Sequence, residues 1–392
     1  MSIVVPKANT MKENPLLGLE AFGQSIWMDY IRRGTIASGE LQHLIEADGI
    51  SGVTSNPSIF EKAIENSHDY DESIRALTLQ GKTSDEIYEL LTVEDIQRVA
   101  DLLRPTYNRD NRDGFVSLEV SPRLAHDTTG TIAEARRLWS LVDRPNAMIK
   151  VPATLEGLPA IRQLIGEGIN VNITLLFGLP RYREVAEAYI AGLESLAATG
   201  KPLTQVASVA SFFLSRIDVL IDPVLEVKMK TDSPQAGLAA RLHGQIAIAS
   251  AKLAYQIYHE VFGSERFKRL ASIGAHTQRL LWASTSTKNP AYSDTKYVEA
   301  LIGPNTINTL PIETLTAYRD HGRPKQSLDL DVSGAYQALR DLSSVGIDLD
   351  AVTQQLEAEG VGTFIAAFDR LMVSLKEKRA AVHEMLERSS GN

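Results

Sequence analysis

The sequence has no cysteine in 392 residues, which excludes disulfides, thiolate metal sites and a cysteine nucleophile. No uncharged apolar stretch approaches the length needed to cross a bilayer. Residues Met1 to Leu17 are of mixed polarity, with Lys7 and Lys12, and lack the apolar core of a signal peptide; this lead is expected to be mobile. Positive charge is in deficit, with a formal net charge of −9, which argues against a broad nucleic-acid surface but leaves room for a local arginine that holds a phosphate. There is no His-x-x-x-His pair and no carboxylate-rich cluster, so a metal-dependent route is unsupported. Internal repeats and low-complexity linkers are also missing. With 44% hydrophobic and 23% charged residues, what is left is a globular, enzyme-sized protein, expected in the cytoplasm with neither membrane nor nucleic acid as partner.

What is present is organised around Ala147-Met148-Ile149-Lys150-Val151-Pro152. A short apolar run bounded by turn residues reads as a strand buried on both faces, as in parallel sheets. Lysine is rarely fully buried without a partner. An amine held in low dielectric favours its neutral form, whose lone pair attacks a carbonyl to give a Schiff base. Taken alone, the stretch reads equally well as a strand end from which the lysine reaches solvent.

Seven further strands have the same character: Ser25–Asp29, Ile50–Thr54, Gly114–Val120, Ile169–Thr174, Gln205–Phe213, Leu280–Ser284 and Asn305–Thr309. Helical patterns separate them. One covers residues 37–47, one opens at Thr83 with Glu86 as capping box, one opens at Thr131 with Glu134 as capping partner, and others cover Gly157–Ile165, 179–197 and 234–261. Eight buried-type strands alternating with helices predict a closed parallel (β/α)8 TIM barrel. A doubly wound sheet is the runner-up, but no Gly-x-Gly-x-x-Gly follows the first strand. Residues 334–388 read as all-helical, with Phe364, Phe368, Leu371 and Leu375 in one stripe, expected to pack on the barrel exterior. The expectation is one domain over 1–392, with a barrel core at about 20–320 and a helical extension at about 334–392.

Polar residues fall at the C-terminal end of strand after strand: Asp29, Thr54 and Asn56, Glu119, Lys150, Asn172 and Thr174, Ser211. In a barrel those ends meet at one mouth, where active sites of this fold lie. Singly, each has a plainer role: Asp29 as a helix cap, Asn56 as a turn former, Asn172 in a loop hydrogen bond. Together they surround an amine with the hydroxyls and amides that sugar hydroxyls need as partners.

With these motifs in place, the sequence resembles a transaldolase, a Schiff-base aldolase-type barrel of the pentose phosphate pathway. The resemblance is carried by Gly52-Val53-Thr54-Ser55-Asn56-Pro57-Ser58, Ser117-Leu118-Glu119-Val120, Ile149-Lys150-Val151-Pro152-Ala153-Thr154, Asn172-Ile173-Thr174-Leu175-Leu176-Phe177 and Ser211-Phe212-Phe213-Leu214-Ser215-Arg216-Ile217-Asp218. The helical tail is similar to that of the longer bacterial branch. The resemblance implies Lys150 as Schiff-base lysine and Asp29 as the acid/base at the donor's C4 hydroxyl. It implies Glu119 and Thr174 as the pair that positions a water, and Asn56, Asn172 and Ser211, beside Thr54, as holders of the dihydroxyacetone unit. Phe213 falls at the site's aromatic position and Arg216 at its phosphate-binding arginine. Shorter relatives carry a second arginine after the seventh strand; here Ala283-Ser284-Thr285-Ser286-Thr287-Lys288-Asn289 is two residues longer, leaving Lys288 or the loop hydroxyls for that task. The implied partners are phosphorylated ketoses and aldoses, with no cofactor, in a monomer or homodimer.

The implied reaction moves dihydroxyacetone from sedoheptulose 7-phosphate to glyceraldehyde 3-phosphate, giving erythrose 4-phosphate and fructose 6-phosphate. Rivals are a fructose-6-phosphate aldolase, whose branch has glutamine for Glu119 and tyrosine for Phe213, and a non-catalytic sugar-phosphate-binding barrel. Asp127-Thr128-Thr129-Gly130-Thr131 is close to the aspartyl-phosphate motif but lacks its lysine, and Thr131 is expected to be a helix cap. His43 and His276 read as surface or core residues.

Overall fold

The computed structural model describes residues 14–231 and 234–390, so the lead expected to be mobile lies largely outside the described residues. Eight parallel strands close into a barrel in sequence order: β1 Gln24–Met28, β2 Ile50–Val53, β3 Phe115–Glu119, β4 Ala147–Pro152, β5 Val171–Leu176, β6 Ser208–Phe213, β7 Arg279–Ala283 and β8 Thr306–Leu310. Helices cover the outside, as a parallel sheet requires. The (β/α)8 expectation holds.

Inward-facing side chains alternate along each strand and fill the barrel in layers. Trp27 and Gly52 share one level, since β1 pairs with β2 there. A Cβ on Gly52 would stand 2.3 Å from the Trp27 ring, so only glycine fits. The indole donates to Asp113 at 2.7 Å, and Arg279 lies 3.3 Å from the same carboxylate, closing the barrel floor with a partly buried ion pair. Chemistry is therefore left to the opposite end, where Glu119, Lys150 and Asn172 are in direct register across β3, β4 and β5.

The helices bear out the sequence reading with three corrections. Helix Ser84–Asp110 starts in the expected capping box, Thr83 and Glu86 satisfying each other's backbone. The stretch 234–261, read as one helix, is two, Ala236–Leu242 and Ile246–Phe262. Gly244 between them has φ +68, a left-handed turn that a helix cannot pass through. The helix expected to open at Thr131 spans Thr128–Val142, because Asp127 caps it by accepting from the Gly130 N–H at 2.9 Å. Thr131 instead donates to the Leu124 carbonyl, and Glu134 accepts from the Ser121 N–H. The Asp127 carboxylate is thus turned onto its own helix.

The third correction concerns the tail. Helix Val332–Ser344 does pack outside, against Ile246–Phe262. Gly346, at φ +78, then reverses the chain into the 42-residue helix Leu349–Ser390. This helix lies against Pro57–Glu65, Asp71–Leu79, Ser84–Asp110, the Pro122–Leu124 turn, β5 and Ser215–Met229, so it runs across the mouth. Phe364, Phe368, Leu371 and Leu375 are its buried stripe, and burying each such side chain is worth about 1.5–3 kcal/mol. The ion pairs beside them, such as Lys378 with Asp71 at 2.6 Å, are exposed enough that each adds at most about 1 kcal/mol. The apolar stripe decides where the helix sits.

Candidate active site

The mouth opens into a cavity of about 920 Å3 lined by Asp29, Thr54, Asn56, Lys150, Ser211, Phe213, Arg216 and Lys288, among others. Lys150 is only 3% exposed. Its Nζ donates to the Ser55 carbonyl at 3.0 Å and lies 3.4 Å from Glu119 Oε2. Ser55 in turn donates to the Ser117 carbonyl at 2.7 Å, which fixes the loop after β2 against β3.

Asp29 and Thr54 stand one residue beyond their strands, yet the ladder continues through both. The Asp29 N–H donates to the Leu310 carbonyl at 2.8 Å and the Thr54 N–H to the Met28 carbonyl at 2.9 Å. Thr54 Oγ1 donates to Asp29 Oδ1 at 2.7 Å. A hydroxyl has one proton, so Thr309, 2.7 Å from Thr54, donates to it and completes a relay from β8 to β1. Burial raises Asp29 above its ordinary value and the Glu313 carboxylate adds to this, while Lys150, Thr54 and Lys288 pull the other way. Burial pushes Glu119 up to about 7, with Lys150 opposing and Asp29 assisting. Two carboxyl groups, both raised by burial and set around one amine, make a proton-exchange site.

Neither Glu119 oxygen has a hydrogen-bond partner among the described residues, nor does the buried Thr174 Oγ1. Apart from the Lys150 amine beside Oε2, Glu119 Oε1 and Thr174 Oγ1 are thus buried without a partner, an arrangement that is costly and persists where the reaction supplies one. Behind Thr174 the strand is irregular: Leu175 has φ +55 and the β5–β6 register slips between Ile173 and Leu176. That bulge re-aims the strand end at the mouth. Glu119 also borders a second cavity of about 200 Å3, with Tyr88, Ser121 and Phe368.

The other expected residues divide into two groups. Ser211, Phe213, Arg216, Lys288 and Asn56 reach the main cavity. Asn56 is at once the cap of Pro57–Glu65, accepting from the Ile59 N–H at 3.0 Å, so its plainer role is filled as well. Asn172 sits a layer deeper. Its amide donates to Ser117 at 2.9 Å and accepts from Ser211 at 2.7 Å, so it positions the Ser211 hydroxyl. Phe213 packs against Phe177, ring centroids 5.2 Å apart. The half-buried Arg216 makes no hydrogen bond or ion pair with any described residue, and burial lowers it from its ordinary value, with Glu359 opposing. A guanidinium placed so is free to bind an anion. Lys288, in the loop after the neighbouring strand β7, donates to Ser286 at 2.6 Å.

Among the lining residues that the sequence reading did not place in the site are Thr309, Glu313 and Phe364. Thr309 is the penultimate residue of β8 and closes the strand read from the sequence, so the strand-end rule applied once more finds it. Glu313 follows it in the first turn of helix Ile312–His321. Phe364 comes from the far end of the chain, and its ring centroid is 5.9 Å from Lys150 Nζ.

A family model described as Transaldolase/Fructose-6-phosphate aldolase matches residues 26–375. The chain belongs to that family. Transaldolase 2 of Nostoc sp. strain PCC 7120 is 49% identical over 374 residues, covering 94% of this chain and 98% of its own. The transaldolase of Saccharopolyspora erythraea is 49% identical, covering 93% and 97%, and transaldolase 1 of Streptomyces avermitilis is 50% identical, covering 94% and 96%. This family member is thus an enzyme of the transaldolase kind. Its match extends through the tail helix as far as residue 375, past Phe364. Among the described residues no helix is long and apolar enough to cross a membrane.

Proposed function

We propose that the protein is a cytoplasmic transaldolase of the non-oxidative pentose phosphate pathway, moving a dihydroxyacetone unit from sedoheptulose 7-phosphate to glyceraldehyde 3-phosphate. The observation that carries this reading is Lys150, buried at a barrel strand end 3.4 Å from Glu119. The Lys150 amine attacks the donor's C2 carbonyl to give a carbinolamine. Glu119 and Thr174 hold the water through which the carbinolamine hydroxyl is protonated and lost, leaving an iminium. Asp29 then takes the C4 hydroxyl proton and the C3–C4 bond breaks. Its electron pair passes into the iminium as an enamine, and the aldose leaves. An incoming aldehyde is attacked by C3, and Asp29 returns its proton to the new hydroxyl. The water held by Glu119 and Thr174 then adds to C2 of the product iminium, the C2–N bond breaks, and the ketose leaves Lys150 free. Asn56, Thr54 and Ser211, the last held by Asn172, serve the hydroxyls of the three-carbon unit.

Arg216, with Lys288 beside the loop after β7, takes the phosphate of donor and acceptor. Arg216→Ala is expected to raise KM for phosphorylated substrates by about 10- to 100-fold, the worth of a charge-assisted contact. Reaction with unphosphorylated dihydroxyacetone should change only a few-fold. Equal losses for both classes of substrate show a structural arginine.

Transfer is distinguished from simple cleavage by two rates on the full chain. One is dihydroxyacetone release from fructose 6-phosphate alone; the other is sedoheptulose 7-phosphate formation once erythrose 4-phosphate is added. Transfer should exceed release by at least about tenfold, since Phe213 carries no hydroxyl to orient a water that protonates the enamine. Phe213→Tyr should raise release and lower transfer. Release as fast as transfer in the wild type makes the protein a lyase instead.

A further inference from the structure

The helix Leu349–Ser390 covers one side of the mouth, over the loops that follow β2, β3, β5 and β6. Phe364 stands at its open edge, where it is buried, lines the sugar cavity and faces Lys150. Both flanks hold it there. One turn earlier, Gly360 lets the helix close onto β5, since a Cβ would stand 2.9 Å from the Leu175 side chain. One turn later, Phe368 meets Tyr88 edge-on at 5.4 Å, with the Arg123 guanidinium 5.5 Å from its ring. The ring therefore has little freedom to swing away from the amine.

We propose that Phe364 is the wall that shields the enamine on Lys150 from bulk solvent and sets how much of the three-carbon intermediate is transferred and how much is released. This inference rests on the transaldolase reading. After the aldose leaves, the enamine has two fates. In transfer, C3 bonds to the acceptor's aldehyde carbon, whose oxygen takes a proton. In release, C3 is protonated from solvent to give an iminium. Water then adds to C2, the C2–N bond breaks, and dihydroxyacetone leaves a protonated Lys150. Both fates end with one water adding to C2 of an iminium, so release is set apart by the proton delivered to C3, which solvent must reach the face of the enamine to supply. A phenyl ring offers no donor and fills the volume that water would occupy. The ring also attracts a cation, but 5.9 Å is near the outer limit of that effect, which is then worth only a few-fold. Bulk should matter more than the π-face. Phe364 is in this view a specificity-determining residue supplied by the C-terminal helix.

The test is the ratio of dihydroxyacetone release to transfer, with fructose 6-phosphate as donor and erythrose 4-phosphate as acceptor. Phe364→Ala is expected to raise that ratio about tenfold, and Phe364→Leu, which restores bulk without a ring, to keep it within about twofold. Should the alanine variant not fold, Phe364→Val carries the same test, with an expected rise of about threefold. Borohydride trapping of Lys150 with fructose 6-phosphate is run on every protein. If the wild type does not trap at Lys150, the Schiff-base reading beneath the proposal fails. If trapping is intact but the ratio is unchanged in the truncated variant, Phe364 is merely structural and the proposal fails by itself. An equal rise in the leucine variant also overturns it, because bulk is then not what shields the enamine from solvent.

Discussion

Lys150→Ala is expected to lose turnover by roughly four orders of magnitude or more and to leave no borohydride-trapped adduct with any ketose phosphate. The fold should survive the change. Removing the amine takes away the charge 3.4 Å from Glu119, yet burial already holds that carboxyl at about 7, and it answers by keeping its proton. No buried, unpaired charge remains below that range. The sign of the stability change follows. A carboxyl whose folded value is raised adds stability that is complete below its ordinary value and lost as pH rises through the raised one. Loss of Lys150 raises Glu119 further, so the variant should lose more stability than the wild type between pH 7 and 9 and be close to it at pH 5. Thermal unfolding across that range checks the second part, and mass spectrometry of the reduced adduct checks the first. Appreciable turnover by the purified variant would end the assignment of Lys150 as nucleophile.

Most of this arrangement is legible in the sequence because barrel geometry turns a local pattern into a global one. Each strand is a short apolar run, and inward residues at or near its C-terminal end point into or beside the mouth, as Asp29, Thr54, Glu119, Lys150 and Ser211 do. Two kinds of feature stay hidden. One depends on backbone detail below the resolution of hydrophobic periodicity: the left-handed turn at Gly244 that divides a helix, the Asp127 cap, and the bulge at Leu175. The other depends on where a distant segment docks. The stripe Phe364, Phe368, Leu371 and Leu375 tells that the tail helix buries one face but not which surface receives it. The barrel's outer wall and the loops of its mouth are both apolar enough to do so. Only the reversal at Gly346 and the close approach at Gly360 bring Phe364 over Lys150.

Asp29→Asn is expected to separate the two halves of the reaction. The amide is nearly the size of the carboxyl and still accepts from Thr54, but it cannot take the C4 hydroxyl proton. Carbon–carbon cleavage should slow by about 10^2- to 10^4-fold, the range for loss of a general base. The iminium on Lys150 should still form and still be trapped by borohydride, since in the proposed mechanism that step runs through Glu119 and Thr174. The pH dependence distinguishes the two carboxylates. In the proposed mechanism cleavage needs ionised Asp29, so its rate should fall as pH drops through the Asp29 value, and burial sets that limb above the ordinary carboxylate range. In the asparagine variant the limb disappears from single-turnover aldose release. Asp29 also raises Glu119 through like-charge repulsion, so its neutralisation should lower Glu119 and move the pH limb of iminium formation downward from about 7. Aldose release at the wild-type rate in Asp29→Asn removes Asp29 from the chemistry. An iminium-formation limb that does not move removes the coupling between the two carboxylates that flank the lysine.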